Sequence, residues 1–243
     1  PAKRLQVLEA HADTIMRRKD LLIRRITLLV RMDRTDEAIG LLADNRFFIA
    51  EGGGRELGDA YVDAHLLRGM ERLREGRAEE ALADFEAAGR YPENLSQESP
   101  RNERRMAQVD YQVGRALAVL DRTEEARRAF ERAAERRTAG ASAERYYQVL
   151  ALRELGRRDR AEAWTRDLVQ AATDRLSADG KVDFFAKFGE QATRQTQRAE
   201  AHYLLGLGLL LQGRRDEAKN QFEQALNFNG AHTWAAYHLS AVE

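Results

Sequence analysis

Residues 199–232 read AEAHYLLGLGLLLQGRRDEAKNQFEQALNFNGAH. Apolar residues recur at three- and four-residue spacing on either side of Gln212-Gly213, which predicts two amphipathic helices joined by a tight turn. Gly213 supplies the left-handed residue that closes the first helix. After it comes a string of Arg, any residue, an acid, any residue and Ala, here Arg214 to Ala218. The same string stands at Arg34–Ala38, Arg77–Ala81, Arg122–Ala126 and Arg157–Ala161. Aligning the Ala positions gives first helices starting near Lys19, Val62, Ala107, Ser142, Ala199 and Thr233. A self-similar unit at this spacing predicts stacked helix hairpins, each too small to bury a core by itself.

The unit has further fixed points. Gly69, Gly114 and Gly206 precede the alanines Ala81, Ala126 and Ala218 by a constant interval, and Phe85, Phe130 and Phe222 follow them. A missing side chain on the first helix is expected to let it press against that small Ala. The Phe and the later Ala88, Ala133 and Ala225 mark the buried face of the second helix. Gly76, Gly156, Gly213, Asp33 and Asp121 occupy the turns and tolerate left-handed backbone. The acid of the string falls in the first turn of the second helix, where the helix dipole favours it.

Composition excludes several classes. Forty basic and forty acidic residues cancel, which disfavours a nucleic-acid partner. The absence of Cys removes disulfide and thiolate chemistry and fits a cytoplasmic protein. The longest apolar stretch, Tyr203 to Leu211, is far short of a bilayer span, so no membrane role is expected. Three Pro and few β-branched runs predict an all-α chain.

The Gly, turn, Ala, Phe, Ala pattern resembles the tetratricopeptide repeat family, most closely in His202 to Gly206 through Gly213, Ala218, Phe222 and Ala225. The resemblance implies one α-solenoid domain over 1–243, a right-handed superhelix of antiparallel helix pairs near 19–52, 62–95, 107–140, 142–175 and 199–232. A helix over 3–17 precedes them and one over 233–242 follows. The first unit departs from the pattern with Ile26 in place of Gly. The fourth keeps Ala161 but has Val149 and Thr165 where Gly and an aromatic belong, so its pairing is expected to be looser. The stretches Phe47–Gly53, Tyr91–Leu95 and Val182–Phe185 are similar to the C-terminal repeats of large bacterial proteins of unknown function, in which β-rich domains like carbohydrate-active folds come first. Because Pro1 already stands within an amphipathic pattern, the chain is expected to be a piece of something longer.

Unequal spacing of the units predicts insertions at 46–61, 91–106 and 173–198, all leaving from one edge. Insertions that share an edge often build a docking surface. Phe47, Phe48, Phe184, Phe185 and Phe188 stand in them, and plugging the gaps that the insertions open is the other reading of these rings. Gly52-Gly53-Gly54 lacks the following Gly-Lys-Ser/Thr of a phosphate loop and reads as a connector. The Arg101–Arg105 run reads as a solvated helix start.

By the geometry of the resembled family, the fifth residue of each first helix faces a concave groove. That residue is Tyr111, Tyr146, Tyr203 and Tyr237 in units three to six. Arg115, Leu150 and Leu207 lie one turn on. Such a row suits a peptide, a helix or a sugar ring, and Arg115 suits a carboxylate; packing between neighbouring helices is the alternative. Family members that grip a C-terminal carboxylate use Lys and Asn in the groove, which this chain lacks.

No catalytic or metal constellation is legible. His65 and His202 share one repeat position and read as packed residues, and His232 and His238 do not share a helix face. Glu79-Glu80 and Glu124-Glu125 sit at helix starts. The sequence thus predicts a non-enzymatic scaffold without cofactor or metal, binding a protein, a peptide or another domain of its own parent chain. The rival reading is a helical accessory of a larger carbohydrate-active enzyme. Self-association through the last helix, with Trp234, Tyr237 and Leu239, is a third.

Overall fold

The computed structural model describes residues 2–47, 54–90, 92–95, 105–138, 140–178 and 188–242. Regular structure among the described residues is entirely helical. Contacts cluster into two units, residues 1–133 and 134–243. The first holds α1 (Ala2–Glu9), α2 (Ala12–Arg17), α3 (Lys19–Arg31), α4 (Thr35–Ala43), α5 (Gly54–Arg74), α6 (Ala78–Ala88), α7 (Met106–Val119) and α8 (Thr123–Glu135), whose last turn reaches the boundary. The second holds α9 (Ala143–Glu154), α10 (Arg158–Ala178), α11 (Phe188–Leu211), α12 (Arg215–Phe228) and α13 (Thr233–Val242).

Each unit is a helical-repeat solenoid. In the first, α3 to α7 each pack on the next helix in sequence; in the second, α9 to α13 do the same. The first helices are longer than the repeat pattern predicts. Helix α5 starts at Gly54, its apolar stripe running back through the buried Leu57 and Ala60, and α11 starts at Phe188. Much of what reads as insertion is therefore helix. The N-terminal helix is two helices, interrupted at Ala10-His11.

The five turns share one construction. Asp33, Gly76, Asp121, Gly156 and Gly213 all have positive φ, between 56° and 79°. The Arg that follows each one donates its backbone N–H five residues back, to Leu29, Arg72, Leu117, Leu152 and Leu209, closing the first helix in a Schellman motif. The same Arg opens the second helix, its carbonyl accepting from Ala38, Ala81, Ala126, Ala161 or Ala218. Its side chain pairs with the acid three residues on, not the acid of the five-residue string: Arg34 with Glu37, Arg77 with Glu80, Arg122 with Glu125 and Arg214 with Glu217. In the fourth repeat Arg160 occupies that place, and Arg157 instead faces Glu135 at 3.8 Å.

The Gly that three of the repeats share serves a different contact from the one its spacing suggests. A methyl group at Gly69, Gly114 or Gly206 would lie 2.5 Å from Cε1 of Phe85, Phe130 or Phe222 respectively. The notch therefore seats the aromatic ring of the second helix rather than the alanine, which is simply buried beside it. Gly208 makes a second notch, on the other side of α11, against Val169 of α10. The -Gly-Leu-Gly- run thus binds one helix to both its neighbours.

Of the connectors, Phe47 and Leu95 are buried, and Phe47 N–H donates to the Asn94 carbonyl at 2.8 Å. The Asn94 amide donates in turn to the carbonyls of Leu42 and Asn45. These residues seal the first unit, the gap-filling role weighed for the inserted rings. Phe48, Glu51, Gly52, Gly53, Tyr91, the Arg101–Arg104 run, Phe184 and Phe185 lie outside the described residues, as does the side chain of Phe188.

Candidate functional site

The four repeat tyrosines do not share one environment. Tyr111 in the first unit is buried, its ring 5.8 Å from that of Phe130, while Arg115 is exposed and donates to Gln112 at 3.3 Å. Tyr203 in the second unit is only 3% exposed, and Leu207 is wholly buried. These rings fill space against the Phe that sits in the glycine notch, Phe130 or Phe222, so Tyr111 and Tyr203 pack and do not face an open groove. Tyr146, Leu150 and Tyr237 remain half-buried.

Tyr146 on α9 and Tyr237 on α13 both set an edge against one buried ring, that of His238, with centroids 5.6 and 5.3 Å away. Phe222 stacks on the same imidazole at 5.6 Å, and Tyr203 and Trp234 complete its surroundings. His238 Nε2 has no hydrogen-bond partner. Burial, helped by the nearby His232, pushes the imidazole down to a pKa of about 3, so it is neutral at any physiological pH. Tyr147, buried next to Tyr146, has its phenol pushed up, chiefly by desolvation. The arrangement is a closed aromatic core with Tyr146 and Tyr237 at its rim. Repeat alignment flagged the tyrosines; the central role of His238 has no repeat counterpart and no signal in the sequence.

His232 is fixed by both nitrogens. Nδ1 accepts the Ala235 N–H at the start of α13, and Nε2 lies 3.3 Å from Glu200. One imidazole thus caps the last helix and ties it to α11.

A second polar feature recurs between paired helices, nineteen residues apart. In the first unit His65 Nδ1 meets Asp84 Oδ1 at 2.9 Å, and in the second His202 meets Gln221 at 2.8 Å. Asp84 also accepts from Arg68 and Arg72, at 2.6 and 2.9 Å. Burial alone would raise its pKa, but the hydrogen bonds from His65 and Arg68 prevail and hold the carboxyl below its usual range. The carboxylate can only accept, so His65 Nδ1 carries the proton. This network satisfies a buried charge and offers no free acid, base or nucleophile.

A cavity of about 610 Å³ opens between the end of α10 and α11, lined by residues including Arg175, Leu176, Ala178, Thr196, Arg198 and Ala201. Arg175 is engaged by the Ala141 carbonyl and Arg198 lies over Phe228, so no converging reactive groups result. No group of His, Asp and Glu among the described residues could hold a metal, and no helix there is long and apolar enough to cross a membrane.

With this geometry in hand, comparison with known families locates one motif. Residues 199–232 match the family model of the tetratricopeptide repeat. That tetratricopeptide segment is the α11–α12 hairpin with Phe222 seated on Gly206. Among solved structures, the chain is similar to YrrB, described as a TPR protein with an unusual peptide-binding site. The two are 16% identical over 93% of this chain and 95% of YrrB, with a TM-score of 0.34. MamA from Desulfovibrio magneticus RS-1, from residue 41 to its end, is 20% identical over 75% of this chain and 93% of MamA, with a TM-score of 0.29. A double mutant of MamA from RS-1 gives 19% identity and 0.28, over 75% of this chain and 83% of the mutant.

Proposed function

We propose that this chain is a non-catalytic protein-interaction module whose second unit receives an apolar peptide segment on the rim formed by Tyr146, Leu150 and Tyr237. The observation that carries the reading is the half-exposure of the Tyr146 and Tyr237 rings around the buried His238. Rings held on one edge by a packed core lose little freedom on binding and offer a broad apolar face to a peptide side chain. Tetratricopeptide repeats generally hold proteins, and the α11–α12 match favours that class over a catalytic one.

The test is a screen of a displayed peptide library with the intact chain, repeated with Tyr146→Ala and Tyr237→Ala. Tyr146→Ala should lower stability by only about 1 kcal/mol, because its ring already meets solvent, yet reduce affinity for selected peptides at least tenfold. Full binding by both variants would remove this rim as the site. A loss of stability matching that of a core aromatic would make Tyr146 a packing residue.

A further inference from the structure

The fourth repeat breaks the electrostatic rule that the other four keep. Elsewhere the helix-opening Arg is neutralised by Glu37, Glu80, Glu125 or Glu217, but here a second cation, Arg160, stands in the equivalent place. The pair of positions that holds His65 with Asp84 and His202 with Gln221 holds Arg145 and Trp164 in this repeat. Arg145 of α9 and Arg160 of α10 both stack on the Trp164 ring, their guanidinium carbons 4.0 and 4.2 Å from its centroid. Neither side chain has an ion pair or a hydrogen bond among the described residues. Two like charges thus share one indole, no more than about 8 Å apart.

The groups around the stack do not neutralise it. Asp167, one turn beyond Trp164, acts on Arg145 from outside ion-pair distance. Glu144 is buried and already engaged. Desolvation first, opposed by Asp167 and reinforced by Arg160, lowers the Arg145 pKa. A ring offers a guanidinium no strong acceptor, so its N–H groups stay available for a carboxylate, which they can receive in two parallel hydrogen bonds. Alternate residues of an extended strand are roughly 7 Å apart, within the limit of about 8 Å that the two ring distances set on the cations.

We propose that the Arg145–Trp164–Arg160 stack docks an acidic peptide segment in which two carboxylates stand two residues apart. It is a different surface from the tyrosine rim, and either can fail without the other.

The chain has two tryptophans, so Trp234→Phe leaves Trp164 as the sole indole reporter. In that background, Trp164 emission is followed during titration at low salt with a decapeptide of alternating Glu and Ser, and with its Gln–Ser counterpart. The Glu peptide should bind saturably and the Gln peptide should not. Arg160→Glu restores the ion pair of the other repeats, keeps the melting temperature, and should weaken Glu-peptide binding at least tenfold. Arg160→Gln serves the same purpose if the Glu variant melts early. Tyr146→Ala should leave this binding unchanged. Equal binding by the Arg160 variants, or no response to the Glu peptide, would overturn the proposal. Competition by inorganic phosphate at concentrations equal to the peptide would overturn it as well, since a site for any small anion is not a peptide site.

Discussion

Phe222→Ala is expected to cost about 3–5 kcal/mol. The ring has no exposed surface, fills the notch over Gly206, and touches both Tyr203 and His238. Its removal opens a cavity that rigid helix backbones on both sides cannot collapse into, so lost transfer energy and lost dispersion contacts add. Denaturant unfolding read by far-UV circular dichroism measures the effect. A cost below about 1 kcal/mol would mean that the ring does not hold the hairpin.

Acid should destabilise the second unit through His238. Its ordinary pKa of 6.5 applies to the unfolded chain and about 3 to the folded one. Between those values the unfolded state binds a proton that the native state does not. Stability is therefore unaffected above pH 6.5 and falls progressively as pH drops toward 3. At roughly 1.4 kcal/mol per unit, the loss is about 3 kcal/mol by pH 4.5 and approaches 5 kcal/mol in all. The groups facing the imidazole, Tyr146, Tyr203, Phe222, Trp234, Tyr237 and the nearby His232, include no carboxylate that would stabilise the charged ring. Depressed carboxyls such as Asp84 also lose stability in acid, so the comparison is with His238→Phe. The variant should show a shallower acid slope by the amounts given; parallel slopes would place His238 in contact with solvent.

The repeat was legible because it rests on backbone rules. A left-handed turn needs Gly or Asp, a close helix approach needs Gly, and both leave marks at fixed intervals. The partner of the glycine was misjudged because spacing places Ala218 and Phe222 on one face of α12, and only three-dimensional geometry shows which of them reaches Gly206. The extended starts of α5 and α11 escaped the pattern because the residues added there lie before its fixed points. The tyrosine row failed as a uniform groove for a related reason. Equivalent positions guarantee equivalent direction, but burial depends on what the adjacent helices supply. Phe130 takes up Tyr111, and Phe222, His232 and His238 take up Tyr203, while Tyr146 and Tyr237 keep one open edge. The charge anomaly at Arg160 was visible in the alignment of the five strings. Its meaning depended on knowing that the pairing acid stands three residues after the Arg.

The most direct test of the hairpin lock is the stability effect of Gly206→Ala measured in two backgrounds. In the wild-type chain the added methyl meets the immobile Phe222 ring, and overpacking of about 1–3 kcal/mol outweighs the gain of nearly 1 kcal/mol in helix propensity. In the Phe222→Ala background the obstruction is gone and the same substitution should stabilise by about 1 kcal/mol. A reversal of sign between the two is the result this account predicts. The same sign and size in both would show that Gly206 and Phe222 do not meet.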